Sequence, residues 1–152
     1  MYALLIVIMA LALFSALLYA GSSSINIDNY LIKSNKGLIE SSAMTLATQF
    51  TAYENIKGYA LQEINWQNEL FSLNRYSPKV IDGTVWNYHN NVDGSYFCMS
   101  GLVNELNYKS FKLAEISADG ISFVNTFCGS KTSLSYNGSF PVEMAITYWI
   151  RN

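Results

Sequence analysis

The chain opens on a continuous apolar run and becomes periodic only later. Of the first 20 residues, MYALLIVIMALALFSALLYA, 19 are apolar; Ser15 is the exception, and no charge appears before Asp28. Twenty helical residues span about 30 Å, the thickness of a bilayer's hydrocarbon core. A 152-residue chain has too small a core to surround such a helix on every side. The run is expected to lie in a membrane, inside a polymer, or in each in turn. It ends at Gly21-Ser22-Ser23-Ser24, poor helix formers that are expected to loosen the helix.

Residues 1–24 thus form one unit, an apolar helix, and residues 25–152 a globular head. In the head, a helix is expected over 25–58, started by Asn26 or Asp28 and stopped by Gly58. Ile39, Ala43, Leu46, Ala47, Phe50, Tyr53, Ile56 and Ala60 recur in steps of three and four. Lys36, Glu40, Ser41, Thr48, Thr51 and Asn55 fall opposite. Taken with residues 1–24, the long N-terminal helix is therefore apolar in its first half and amphipathic in its second, 25–58. Leu61, Ile64 and Leu70 extend it or form a short second helix.

Beyond residue 75 the period changes. Asp82-Gly83, Asp93-Gly94, Asp119-Gly120 and Asn137-Gly138 mark tight turns. Between them, Thr84–His89, Ser95–Met99, Ile121–Phe127, Leu134–Phe140 and Val142–Trp149 read as strands of an antiparallel sheet over 84–150. Pro141 belongs at a strand start or on an edge, and Leu102–Leu106 reads as a turn or a single helical turn. The predicted class is α+β, a long N-terminal helix packed on a C-terminal antiparallel sheet.

Charge and cysteine content narrow the partners. All nine Lys and Arg and all eleven Asp and Glu lie beyond residue 27, and the net charge of −2 offers no basic patch for nucleic acid. Cys98 and Cys128 are the only cysteines. In a domain held outside the cytoplasm an even count favours a disulfide, worth about 3–4 kcal/mol for a loop of roughly 30 residues; the alternative is two unpaired buried thiols. Nothing basic precedes the apolar run, and the first cation is Lys33. Membrane anchors normally keep flanking Lys or Arg, so Met1 is expected to be a processed terminus from which a basic leader was removed.

The apolar Met1–Ala20, its continuation to about Ile56, the sheet, and the late pair Cys98 and Cys128 together resemble the type IV pilin family and the related pseudopilins of type II secretion. A Met at the mature terminus points to the type IVb branch. The resemblance implies a ladle-shaped subunit whose helix packs in a filament core and whose head faces outward. The stretch between the two cysteines would be an exposed, variable part of the head. It also implies residence in the inner membrane before assembly, a cell-surface filament afterwards, and other pilin subunits as partners. Met1, Ala3, Leu5, Ile8, Leu11, Ala12 and Ala16 would serve assembly and anchoring, with Gly21, Ser22, Ser23 and Ser24 supplying flexibility where many pilins carry a Pro. One departure stands out: the family usually has a Glu at the fifth mature position, which pairs with a neighbour's N-terminal amine, and here that residue is Leu5. This fits a tip or initiating subunit, or a shaft held by apolar packing alone.

Catalytic chemistry is sparse. His89 is the single histidine, flanked by Tyr88 and Asn90, and its position on a strand suits a structural role. Asp82, Asp93 and Asp119 are explained by their turns rather than as calcium ligands. No G-x-S-x-G element or phosphate-binding Gly loop occurs, and no metal or cofactor is expected. Asn137-Gly138-Ser139 fits a glycosylation triplet, but its Asn-Gly is already explained by a hairpin. Eleven Tyr, eight Phe and three Trp are many for this length. Trp86, Tyr88, Tyr96, Tyr148 and Trp149 either fill the sheet–helix core or form a sugar- or receptor-binding face. The sequence thus favours a non-enzymatic filament subunit, with a single-pass anchored binding domain as the alternative.

Overall fold

The computed structural model describes residues 10–15, 26–71, 77–118 and 120–151. The chain divides into two compact units, Met1–Leu31 and Ile32–Asn152. In the first, residues 10–15 are helical, and Leu11 and Ala12 are exposed there. Met1, Ala3, Leu5, Ile8, Ala16 and the Gly21–Ser24 segment lie outside the described residues, so only six positions of the apolar run are described. Among the described residues no helix is long and apolar enough to cross a membrane.

Helix α1 spans Ile27–Lys57. Of the two expected caps Asn26 is the one used: its Oδ1 accepts from the Asn29 backbone at 3.1 Å. The helix stops where Gly58 takes a φ of +70° and its N–H closes on the Glu54 carbonyl at 2.9 Å. Ile39, Ala43, Leu46, Phe50 and Tyr53 are buried, whereas Ile56 is exposed. Complete burial of Ile39 and Leu46 contributes about 1.5–3 kcal/mol each. Leu61, Trp66 and Leu70 join the same core, the last two from a short helix α2, Trp66–Phe71. Ile64 points to solvent.

Four antiparallel strands follow in the order β1-β2-β4-β3: β1 Thr84–Asn91, β2 Gly94–Val103, β3 Ser122–Asn125 and β4 Val142–Arg151. Tyr88 pairs with Phe97, Phe97 with Tyr148, and Val124 with Ile146. This register places Trp86, Tyr88, Phe97, Met99, Val124, Ile146 and Tyr148 in one core with the buried residues of α1. The Phe50 ring meets Tyr88 at 5.7 Å and Phe97 at 6.2 Å. The alternate positions Tyr96, Cys98, Ala145 and Trp149 form a second cluster, as the period of two requires. Where β1 begins and β2 ends, Gly83 and Gly101 meet so closely that a Cβ on Gly101 would lie 2.0 Å from the Gly83 carbonyl oxygen.

Two expected elements need correction. The expected strand Leu134–Phe140 is a loop, and Asn137-Gly138 turns no hairpin. Its aromatics leave the sheet for a helix: Tyr108, Tyr136 and Phe140 have ring centroids 5.3–6.2 Å apart. A single backbone bond, Leu134 N–H to the Val124 carbonyl at 2.7 Å, ties the loop to β3. The segment Leu102–Leu106, expected to be a turn or a helical turn, instead holds the end of β2 at Val103 and the start of a full helix α3, Glu105–Ser117. Asn104 caps it, accepting from the Asn107 backbone at 2.8 Å. Pro141 precedes β4 at a cis Phe140–Pro141 bond.

Candidate functional site

The second cluster builds a site on the sheet, covered by the connection between β3 and β4. Cys98, midway along β2, is bonded to Cys128 beyond the end of β3, with Cα atoms 5.8 Å apart. The bridge therefore ties a strand to a loop rather than strand to strand. Gly129 follows at φ +83°, and a Cβ there would lie 2.6 Å from the Tyr96 hydroxyl, so the loop passes this ring only as glycine. The Gly129 N–H donates to Thr147 Oγ1 at 3.0 Å and Trp149 Nε1 to the Ser130 carbonyl at 3.2 Å. Tyr96 and Trp149 pack with centroids 4.7 Å apart. Lys131 sits 4.4 Å above the Trp149 ring, a cation–π contact, and donates to the Asp93 carbonyl at 3.2 Å. Burial, with the Glu63 and Asp93 carboxylates adding to it, holds the Tyr96 hydroxyl above the ordinary tyrosine range.

Helix α3 anchors the same connection. Glu115 accepts from the Val124 backbone at 2.6 Å, from the Ser133 hydroxyl and from Lys112. The Tyr136 N–H donates to the Tyr108 hydroxyl at 2.8 Å. Asn125 donates to Ser130 Oγ at 2.9 Å and to the Thr132 carbonyl at 3.1 Å. The connection exposes Thr126, Phe127, Lys131, Thr132 and Ser133, with Phe127 60% accessible.

Trp86, Tyr88, Tyr96, Tyr148 and Trp149 are all buried, so these aromatics fill the core and present no binding face. His89 lies on β1, with Nδ1 3.8 Å from Glu63 and its ring 5.1 Å from Tyr96. Asp82 and Asp93 occupy turns, and Asp119 lies outside the described residues. Among the described residues no group of three or more His, Cys, Asp or Glu side chains could hold a metal.

An apolar groove of about 380 Å³ runs along α1, lined by Ala43, Met44, Ala47, Ala118, Ile121 and Ile150, with Tyr148 beneath it. Met44 and Ile121 are 74% and 56% accessible. Neither Glu115 as a hub nor this groove is legible in the sequence, because both depend on residues remote along the chain. Compared with family models, curated proteins and solved structures, the chain matches none.

Proposed function

We propose that the chain is a structural subunit of an extracellular, type IV pilus-like filament, assembling through its N-terminal apolar helix and having no catalytic role. The observation that carries this reading is the order of parts. A run of 20 residues with no charge leads toward α1, and α1 buries one side against an antiparallel sheet. The first half of the long helix is apolar throughout, and the second half is amphipathic. The inner membrane holds the run before assembly, and the filament interior holds it afterwards. Ala3, Ala10, Ala12, Ala16 and Ala20 allow helices to approach closely. The partners are copies of this chain or other subunits of the same kind, and the disulfide-tied loop belongs to the outward surface.

Electron microscopy of cells making the chain, with antibody against the head, tests the reading. Label along or at the tip of filaments is the expected result. Label confined to a smooth membrane would favour the alternative, a single-pass anchored binding domain that never polymerises. Leu5 sets the finer question, since it removes the charged group that fixes register in most pilins. A few copies per filament, counted against other subunits, would assign a tip position. A shaft made of this chain alone would assign register to small-residue packing.

A further inference from the structure

The buried strand aromatics leave the surface to other rings, and one of these stands between two polar clefts. Tyr59 follows the glycine that ends α1 and is 54% accessible. Its ring meets Tyr53 edge to face, with centroids 5.8 Å apart and planes at 89°. The Tyr53 hydroxyl in turn donates to Glu69 of α2. Tyr59 is thus held against Tyr53 while about half of its surface stays accessible.

On one side lies a cleft of about 370 Å³ lined by Tyr53, Lys57, Tyr59, Asn65, Asn68 and Glu69. On the other lies one of about 350 Å³ lined by Glu54, Asn55 and the Gly58-Tyr59-Ala60 turn. Both clefts are shallow and open to solvent, with polar lining. The side-chain amides of Asn55, Asn65 and Asn68 are exposed and make no hydrogen bond among the described residues. Each amide offers donors and an acceptor side by side. Among the described lining residues Lys57 is the one cation, against the carboxylates of Glu54 and Glu69, a balance that disfavours phosphate or another polyanion. Walls that both donate and accept, around an exposed ring, suit a ligand with many hydroxyls and a C–H face to lay on the aromatic.

We propose that the Tyr59 ridge binds a neutral linear oligosaccharide, with one sugar unit in each cleft and the ring between them. The site is independent of the filament reading, because it needs only the folded head.

The test uses the full chain, labelled and held in a detergent without a sugar headgroup, on a printed array of neutral and acidic glycans. Signals among the neutral glycans are expected, followed by saturable binding of the strongest of them in solution. Tyr59→Ala should weaken that binding about tenfold or more. Tyr59→Phe should keep it, as should Tyr30→Ala, which alters a tyrosine that is 68% accessible elsewhere on α1. Asn68→Ala, on the exposed side of α2, should weaken binding even if Tyr59→Ala disturbs the fold. An array without signals, signals confined to acidic glycans, or equal binding by Tyr59→Ala and Asn68→Ala would overturn the proposal.

Discussion

Glu115 shows how one carboxylate can join a helix, a strand and a loop. Its side chain is 10% accessible and receives a backbone N–H from β3, a hydroxyl from Ser133 and the Lys112 ammonium. Glu115→Gln keeps the volume but replaces one acceptor oxygen with a donor that faces other donors. It should lower unfolding free energy by about 1–3 kcal/mol, the cost of leaving a buried partner unsatisfied. Urea unfolding of the folded variant measures this; an unchanged midpoint would mean that water replaces the lost contact. Nothing near Glu115 in sequence announces this role, because its partners at 124 and 133 arrive only through the turn after α3. Cys98 and Cys128 were legible, since two residues of one reactive type allow one pairing.

At the scale of elements, what could be read depended on whether the buried face was apolar. Helix α1 was legible because Ile39, Ala43, Leu46, Phe50 and Tyr53 carry its period plainly. Helix α3 was not. Its buried face includes Asn107 and Ser110 beside Phe111 and Ala114, while Leu113 and Ile116 are partly or largely exposed. The polar pair is satisfied inside: Asn107 accepts from Asn35 at 3.0 Å, and Ser110 donates to the Leu106 carbonyl at 2.9 Å. Hydrogen bonding thus overrode the hydrophobic period. The opposite error arose at Leu134–Phe140, where alternating aromatics imitate a strand but pack on Tyr108. If the chain is the proposed filament subunit, Ile8→Asp or Leu11→Asp in the apolar N-terminal run is expected to abolish membrane retention and assembly. A charge at mid-span costs about 2.5–3.5 kcal/mol on insertion scales. Fractionation and filament yield check it, and a variant that still assembles would remove the apolar run from the mechanism.

For the whole molecule, the compact unit Ile32–Asn152 carries the core, so a chain starting near Ile25 is expected to fold without the apolar run. Soluble, cooperative unfolding of that fragment is the measurement; an aggregate would show that the head depends on the helix before it. The same fragment should be sensitive to alkali. Burial holds the Tyr53, Tyr96 and Tyr148 hydroxyls above the ordinary tyrosine range, with the hydrogen bond to Glu69 adding to the effect at Tyr53. Unfolded tyrosines lose their protons near pH 10, before the folded ones, so the folded state then binds more protons. Stability is therefore full below about pH 9 and falls as pH rises through 10 and beyond. Denaturant midpoints at about pH 8 and pH 11 compare the two regimes.

The order β1-β2-β4-β3 also has a consequence in time. Strand β4 is an inner one, inserted between two that precede it in the chain. Until Val142–Arg151 emerges, β2 has one neighbour and β3 has none, and Gly129 lacks the Thr147 hydroxyl that fixes the chain beside Cys128. A nascent chain can close its first hairpin early, but the cross-link is held in place only once β4 has been made. Oxidation of Cys98 and Cys128 is therefore expected to follow the synthesis of β4. Chains that include Val142–Arg151, unfolded without reductant, should show no thiol to an alkylating label, whereas chains stopped after Ser139 should show both. If the shortened chains were equally closed, the cysteines would be finding each other without the strand whose Thr147 pairs with Cys98.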